Sequence, residues 1–195
     1  AVRGCVGVFD DITERKRAER QQKLLISELN HRVKNTLAIT QSIASLTWRD
    51  TPDPALFNEA FSARLRALAH AHSLLTACSW QGVSLRELAW TALEPFQTQE
   101  KAIEIDGPQV IIKPEFAVTL SLVLHELATN AAKHGALSTP GGRLTIRWQL
   151  DPGPPDLEFC WREENGPAVS APQRTGFGSK LIQSIAAQLG GTAHL

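Results

Sequence analysis

The chain has 195 residues, of which 43% are apolar, enough for one large packed domain or two small ones. Its 20 basic and 20 acidic residues cancel, so charge gives no basis for a nucleic-acid or polyanion surface. Cys5, Cys78 and Cys160 lie far apart with no zinc or disulfide spacing, and no apolar run reaches membrane-span length, so reduced thiols in a cytoplasmic protein are expected.

Val2 to Phe9 has a short, glycine-punctuated strand pattern followed by Asp10-Asp11-Ile12-Thr13-Glu14-Arg15. A strand does not stand alone, so residues 1–12 read as the tail of an upstream domain. The absence of methionine fits a fragment of a longer chain. From Thr13 to about Trp48 there is no Gly or Pro, and Glu, Arg, Lys, Gln and Leu dominate, which predicts a long helix. Leu25, Leu29, Val33 and Leu37 form an apolar stripe on it, and Glu28, His31, Asn35, Ala38 and Ser42 form a polar one. On that polar stripe His31 is either a solvated surface residue or an imidazole nucleophile for a phosphoryl group.

Thr51-Pro52-Asp53-Pro54 breaks the first helix, and a second is predicted from about Pro54 to Thr76, with Phe57, Phe61, Leu65, Leu68 and Leu75 on one stripe. Two helices joined by a short turn make an antiparallel hairpin. Its apolar stripes call for a partner, most simply a second copy, so a homodimer is expected. His72 continues the second stripe and reads as a core histidine, while His70 is a weaker nucleophile candidate than His31.

After Ser79-Trp80-Gln81-Gly82 the pattern turns to mixed α and β. Ser84 is placed to cap a helix to about Phe96, and Ala102–Asp106 and Val110–Lys113 read as short strands. A long helix follows from Pro114 to Gly135, with Phe116, Leu120, Val123, Leu127 and Ala131 as its apolar face. Along the same helix Glu126, Asn130, Lys133 and His134 are spaced i, i+4, i+7, i+8, so one face carries an acid, an amide, a cation and an imidazole. An amide oxygen for a divalent ion and a lysine for phosphates would suit a nucleotide; an ordinary amphipathic helix is the alternative. Leu144–Leu150 and Leu157–Trp161 alternate as strands, which puts Glu163 at a strand end beyond Leu157, Phe159 and Trp161. Gly176 and Gly178 open a last helix to about Leu189 and would let backbone amides approach a phosphate, and Gly190-Gly191 would begin another strand. The fold class that results is α+β: a helical hairpin over 13–79, then a two-layer domain over 80–195 with helices on one sheet face.

Three segments in this order resemble the HWE sensor histidine kinases. They are His31-Arg32-x-x-Asn35; His125-Glu126-Leu127 through Asn130 to Lys133-His134-Gly135; and Trp161-x-Glu163-x-x-Gly166-Pro167 followed by Gly176-Phe177-Gly178. The family takes its name from a histidine, a tryptophan and a glutamate, here His125, Trp161 and Glu163. The resemblance covers about residues 20 to 195, and the opening segment is similar to the end of a PAS sensor domain leading into a signalling helix.

The resemblance implies a dimerisation and phosphoacceptor domain followed by a Bergerat-fold ATP-binding domain that is C-terminally incomplete here. His31 would be the phosphoacceptor, with Asn35 assisting and Glu126 orienting the metal or its water. Asn130 would hold Mg²⁺, Lys133 and His134 would meet phosphates, and Gly166, Gly176, Phe177 and Gly178 would form the nucleotide loops. Glu163 would accept the adenine amino group. The cofactors implied are ATP and Mg²⁺, and the partner is a response regulator whose aspartate takes the phosphoryl group.

Departures from the commoner histidine kinases are also visible. Arg32, not an acid, follows His31, and no proline comes after it; Asn165 stands where glycine is usual; and the segment from Val169 to Thr175 is a short lid. Two other readings share part of the pattern. One is a Bergerat-fold ATPase or serine/threonine kinase of the anti-sigma-factor type, and the other a nucleotide-binding dimerisation scaffold without catalysis.

Overall fold

The computed structural model describes residues 12–97, 102–150, 153, 156–168 and 176–194. The expected strand over Val2–Phe9, the PAS-like tail as far as residue 11, and the short lid from Val169 to Thr175 lie outside the described residues. The chain forms two compact units, which divide between Ser45 and Leu46.

Helix α1, Thr13–Asp50, is 38 residues long and passes from the first unit into the second. In the first unit it carries i,i+4 ion pairs, Arg15–Glu19 at 3.1 Å and Arg32–Glu28 at 2.9 Å, both solvent-exposed enough to contribute little. Leu25, Leu29, Val33 and Leu37 are all exposed, at 64, 61, 48 and 58%.

The second unit begins with the last turn of α1. Asp53 stops the chain and caps α2, Pro54–Ala77, by accepting from the amides of Ala55 and Leu56, and Pro54 occupies the first helical turn. The chain reverses there: Trp48 packs edge-on against Phe57, and Phe57 stacks on Phe61. The face of α2 that is buried is Arg64, Ala67, Leu68, Ala71 and Leu75, one flank of the expected stripe. Phe57, Phe61 and Leu65 are half-buried.

Strand β1, Val83–Ser84, pairs antiparallel with β3, Ile111–Ile112. Helix α3, Leu85–Leu93, follows at once. Ser84 does occupy its N-cap position, but its side chain makes no capping bond, and its backbone is engaged with Ile111 instead. Pro95 tightens the end of the expected helix into a 3-10 turn over Glu94–Phe96.

The main sheet has the order β2-β4-β5, where β2 is Ala102–Asp106, β4 Arg143–Leu150 and β5 Leu157–Glu164. β2 runs parallel to β4 and β4 antiparallel to β5. The parallel pair needs a crossover, and the segment between its strands contains α4, Pro114–Lys133, which packs on α2, α3 and α5, Phe177–Gln188.

The core is formed by Leu75, Leu85, Leu88, Leu93, Leu122, Leu124, Leu137, Leu144 and Ile146. Packing against three helices rotates the buried side of α4. Ala117, Val118, Ser121, Leu122, Leu124 and Ala128 join Val123 and Ala131 in it, while Phe116, Leu120 and Leu127 are only half-buried. The expected strand after Gly190-Gly191 does not form, because residues 191–194 find no ladder partner among the described residues. No described helix is long and apolar enough to cross a membrane.

Candidate functional site

His31 and Asn35 lie one turn apart on α1, both exposed, in the first unit. The Asn35 amide nitrogen is 3.5 Å from His31 Nδ1, the outer limit of a hydrogen bond. An amide turned the other way offers Oδ1 to the same nitrogen, so Asn35 can hold a proton on Nδ1 and leave the Nε2 lone pair directed outward. The nearest acid on the stripe, Glu28, is paired with Arg32, the residue that replaces the usual acid beside the histidine.

The other predicted residues fall in the second unit, around the C-terminal half of α4. Asn130 is exposed on that helix, one turn after Glu126. The first turn of α5 comes against both: a Cβ on Gly178 would stand 3.3 Å from Glu126 Cβ and 3.9 Å from Asn130 Nδ2. Glycine there lets the two helices approach closely, and a side chain would meet a tight contact with Glu126. Helix α5 starts from Gly176 without a side-chain cap, so its first amides have no capping partner from their own N-cap side chain. A helix N-terminus without a side-chain cap from its own N-cap residue, beside an exposed amide side chain, suits an anion with its counter-cation. The donor set therefore fits a magnesium-bound triphosphate.

Glu126 departs from the expected role. Both its oxygens accept from Arg64, from Nε at 2.8 Å and Nη2 at 2.9 Å, and the pair is nearly buried. In this arrangement Glu126 has no oxygen facing a metal unopposed, because a buried fork-to-fork pair takes the carboxylate's best directions. Lys133 and His134 lie exposed at the end of α4. Lys133 is 3.9 Å from Glu59, an exposed pair weak enough for a phosphate to displace.

His125 turns inward beside Glu126. Burial pushes its imidazole below the usual value; Glu126 opposes that shift, while Arg64, Arg66 and His70 add to it. His72 is half-buried, edge-on to Trp80, and its value is also lowered by burial.

Trp161 and Glu163 serve a junction. The register pairs Leu144 with Glu163 and Ile146 with Trp161, so both face the side of the sheet on which Leu144 and Ile146 are buried. β5 runs on to Glu164, so Glu163 lies within the strand rather than beyond it. One oxygen of Glu163 accepts from the Ala136 amide at 2.8 Å, the other from Trp161 Nε1 at 2.9 Å. This ties β5 to the 3-10 turn Ala136–Ser138 that follows α4. Gly166 closes on the same turn: a Cβ would meet Ala136 N at 2.9 Å and the Gly135 carbonyl carbon at 3.0 Å. Asn165 has φ +59°, the left-handed conformation expected of asparagine in place of glycine.

Sequence reading missed Arg64 altogether. Its signal was a cation in register with Leu68, Ala71 and Leu75 on an apolar stripe, a position where an unpaired charge is costly.

Residues 28–109 match the model of the HWE histidine kinase family. The chain is 42% identical over 94% of its length to the blue-light-activated histidine kinase of Brucella ovis, and 43% identical over 92% to that of Brucella anthropi. It spans 38% and 37% of the length of those relatives. The fold resembles the blue-light activated histidine kinase of Erythrobacter litoralis, with TM-score 0.58 and 19% identity over 85% of this chain and 56% of that one. The histidine kinase domain of the same protein gives TM-score 0.53 at 14% identity over 80% of this chain and 85% of that one. With the His31-Arg32-x-x-Asn35 segment inside the matched region and the likeness running through the α4 and β5 motifs, residues 28–109 belong to the HWE histidine kinase family and the chain as a whole is similar to the blue-light-activated histidine kinases.

Proposed function

We propose that this chain is the kinase portion of a cytoplasmic sensor histidine kinase that uses ATP to phosphorylate His31 and passes the phosphoryl group to an aspartate of a response regulator. The observation that carries the reading is the meeting of Asn130 with the uncapped glycine start of α5, in a chain whose α1 exposes His31. Residues 1–12 then belong to the end of a PAS-like sensor, 13–79 to the dimerisation and phosphoacceptor segment, and 80–195 to the ATP-binding segment. The exposed Leu25, Leu29, Val33 and Leu37 stripe supports a homodimer through α1.

In this reading Asn130 holds Mg²⁺ through Oδ1, Lys133 and His134 balance phosphate charge, and Gly176, Phe177 and Gly178 present backbone amides. When bound, magnesium-ATP supplies the transferable phosphoryl group and neutralises its charge. Asn35 fixes the His31 tautomer so that Nε2 is the nucleophile. Glu163 keeps free lone pairs beyond its two internal bonds, and these can accept from an adenine amino group but not from a guanine carbonyl.

Labelling with γ-phosphate-labelled ATP tests the reading. The wild type should take up acid-labile, base-stable label, and His31→Gln should lose it while ATP affinity stays within about threefold. Label that persists in His31→Gln, or that is stable to acid, would favour a serine/threonine kinase of the anti-sigma-factor type. Competition binding tests base choice: Glu163→Gln should narrow the ratio of ATP to GTP affinity by about tenfold, the scale of one charge-assisted bond.

A further inference from the structure

Arg64 is only 8% exposed, and its guanidinium is engaged along both its edges and one face. Nε and Nη2 donate to the two oxygens of Glu126 at 2.8 and 2.9 Å, and Nη1 donates to Thr47 Oγ1 at 2.6 Å. Its central carbon lies 3.8 Å from the centre of the Phe177 ring. Thr47 is on the last turns of α1, Arg64 on α2, Glu126 on α4 and Phe177 on α5, so one side chain joins four helical segments of the second unit at a single point.

The chemistry proposed above does not use this cation. Stability is a poor reason for it, because desolvation of a buried ion pair offsets much of its attraction and apolar side chains would pack as well. What the guanidinium adds is direction. A planar fork fixes the carboxylate in plane while its face fixes a ring, a combination that lysine cannot reproduce. Both fixed groups adjoin the nucleotide residues. Glu126 is one turn before Asn130, Phe177 stands between Gly176 and Gly178, and Gly178 backs onto Glu126 and Asn130 together. A shift of the carboxylate or the ring therefore moves the glycine turn relative to the Asn130 amide.

We propose that Arg64 is a positioning residue for the nucleotide site, acting through Glu126 and Phe177 to hold the start of α5 against Asn130. The proposal rests on the reading of that region as an ATP site. It assigns the Arg64 face of α2 a part in nucleotide affinity, separate from the presentation of His31.

The test uses the full chain. Arg64→Ala would leave Glu126 buried and unpaired and lower the folded fraction, so Arg64→Lys is the informative change. Magnesium-ATP affinity is measured by calorimetry on protein shown to be folded by circular dichroism, and autophosphorylation kinetics are measured alongside. Arg64→Lys should weaken binding and raise KM together by about tenfold, the scale on which a supporting partner acts on a ligand group. The kcat should stay within about threefold, the pattern of lost binding rather than lost chemistry. Combined with Glu126→Gln, the penalty should be no larger than that of the worse single change, because the two residues act as one unit.

Wild-type affinity and KM in folded Arg64→Lys, or additive penalties in the pair, would overturn the proposal. So would raised autophosphorylation, which would mark the contact as an inhibitory latch. A wild type that binds no magnesium-ATP would instead bring down the nucleotide reading itself. If Arg64→Lys does not fold, Thr47→Val removes the Nη1 acceptor while keeping the Arg64–Glu126 pair, and is judged by the same criteria, with an expected rise of about threefold.

Discussion

The Glu163 carboxylate satisfies the amide of Ala136, a residue with no exposed surface. Without that acceptor the amide is buried and unpaired, which costs about 1–3 kcal/mol. Glu163→Ala should lower the unfolding free energy by that amount in urea denaturation; no loss would mean that another group or water takes the amide over. His125 gives a pH signature. Its folded value lies below 6.5, so below that pH the unfolded chain binds more protons. Its contribution is complete above about pH 6.5 and is lost as pH falls from there through the lower folded value. His125→Gln should therefore show a smaller drop in urea midpoint between about pH 7 and pH 5 than the wild type. His72 has the same sign, so part of the slope remains. At this level the sequence told residue types and spacing but not partners. Asn130 and Gly178 were legible because helix period and glycine content mark them. The pairings of Glu126 with Arg64 and of Glu163 with Ala136 span 62 and 27 positions, and no local pattern encodes them.

The end of α4, its 3-10 turn and the end of β5 form one junction, held by Gly135, Gly166 and the left-handed Asn165. Both atoms that a Gly166 side chain would strike first are backbone, which cannot swing aside. Gly166→Ala should cost about 1–3 kcal/mol by chemical denaturation, as overpacking does. Asn165→Gly, which keeps the conformation available, should stay within about 1 kcal/mol of wild type. The periodicity foretold the five helices and the main-sheet strands, since Gly and Pro punctuate them clearly. It missed β1, because two residues have no periodicity to read, and it mistook which side of α4 is buried. That helix is apolar nearly all round, and only its neighbours α2, α3 and α5 decide the face.

For the molecule as a whole, the apolar stripe on α1 is the feature a single chain leaves unsatisfied. Replacing Leu29 and Val33 together with glutamate should shift the protein from dimer to monomer in light scattering at a given concentration, with little change in helical circular dichroism. An unchanged mass would place any self-association elsewhere. The apolar stripes pointed to this need for a partner, but two amphipathic stripes cannot by themselves specify which surface meets which.

Helix α1 also has a rotational phase. Over its 38 residues it rises roughly 57 Å, and each residue turns the face by roughly 100°. His31 is 18 residues beyond Thr13, so anything joined rigidly at the start of α1 sets the azimuth of His31 from roughly 27 Å away. One residue inserted after Arg20 would swing His31 through more than a quarter turn, whereas seven would return it to within roughly 20° while lengthening the rod by roughly 10 Å. In a full-length protein with an upstream sensor, signal-dependent labelling should therefore survive the seven-residue insertion and be lost or inverted with the single one. Tolerance of both would mean that the signal travels as a loosening of the helix rather than as a turn of it.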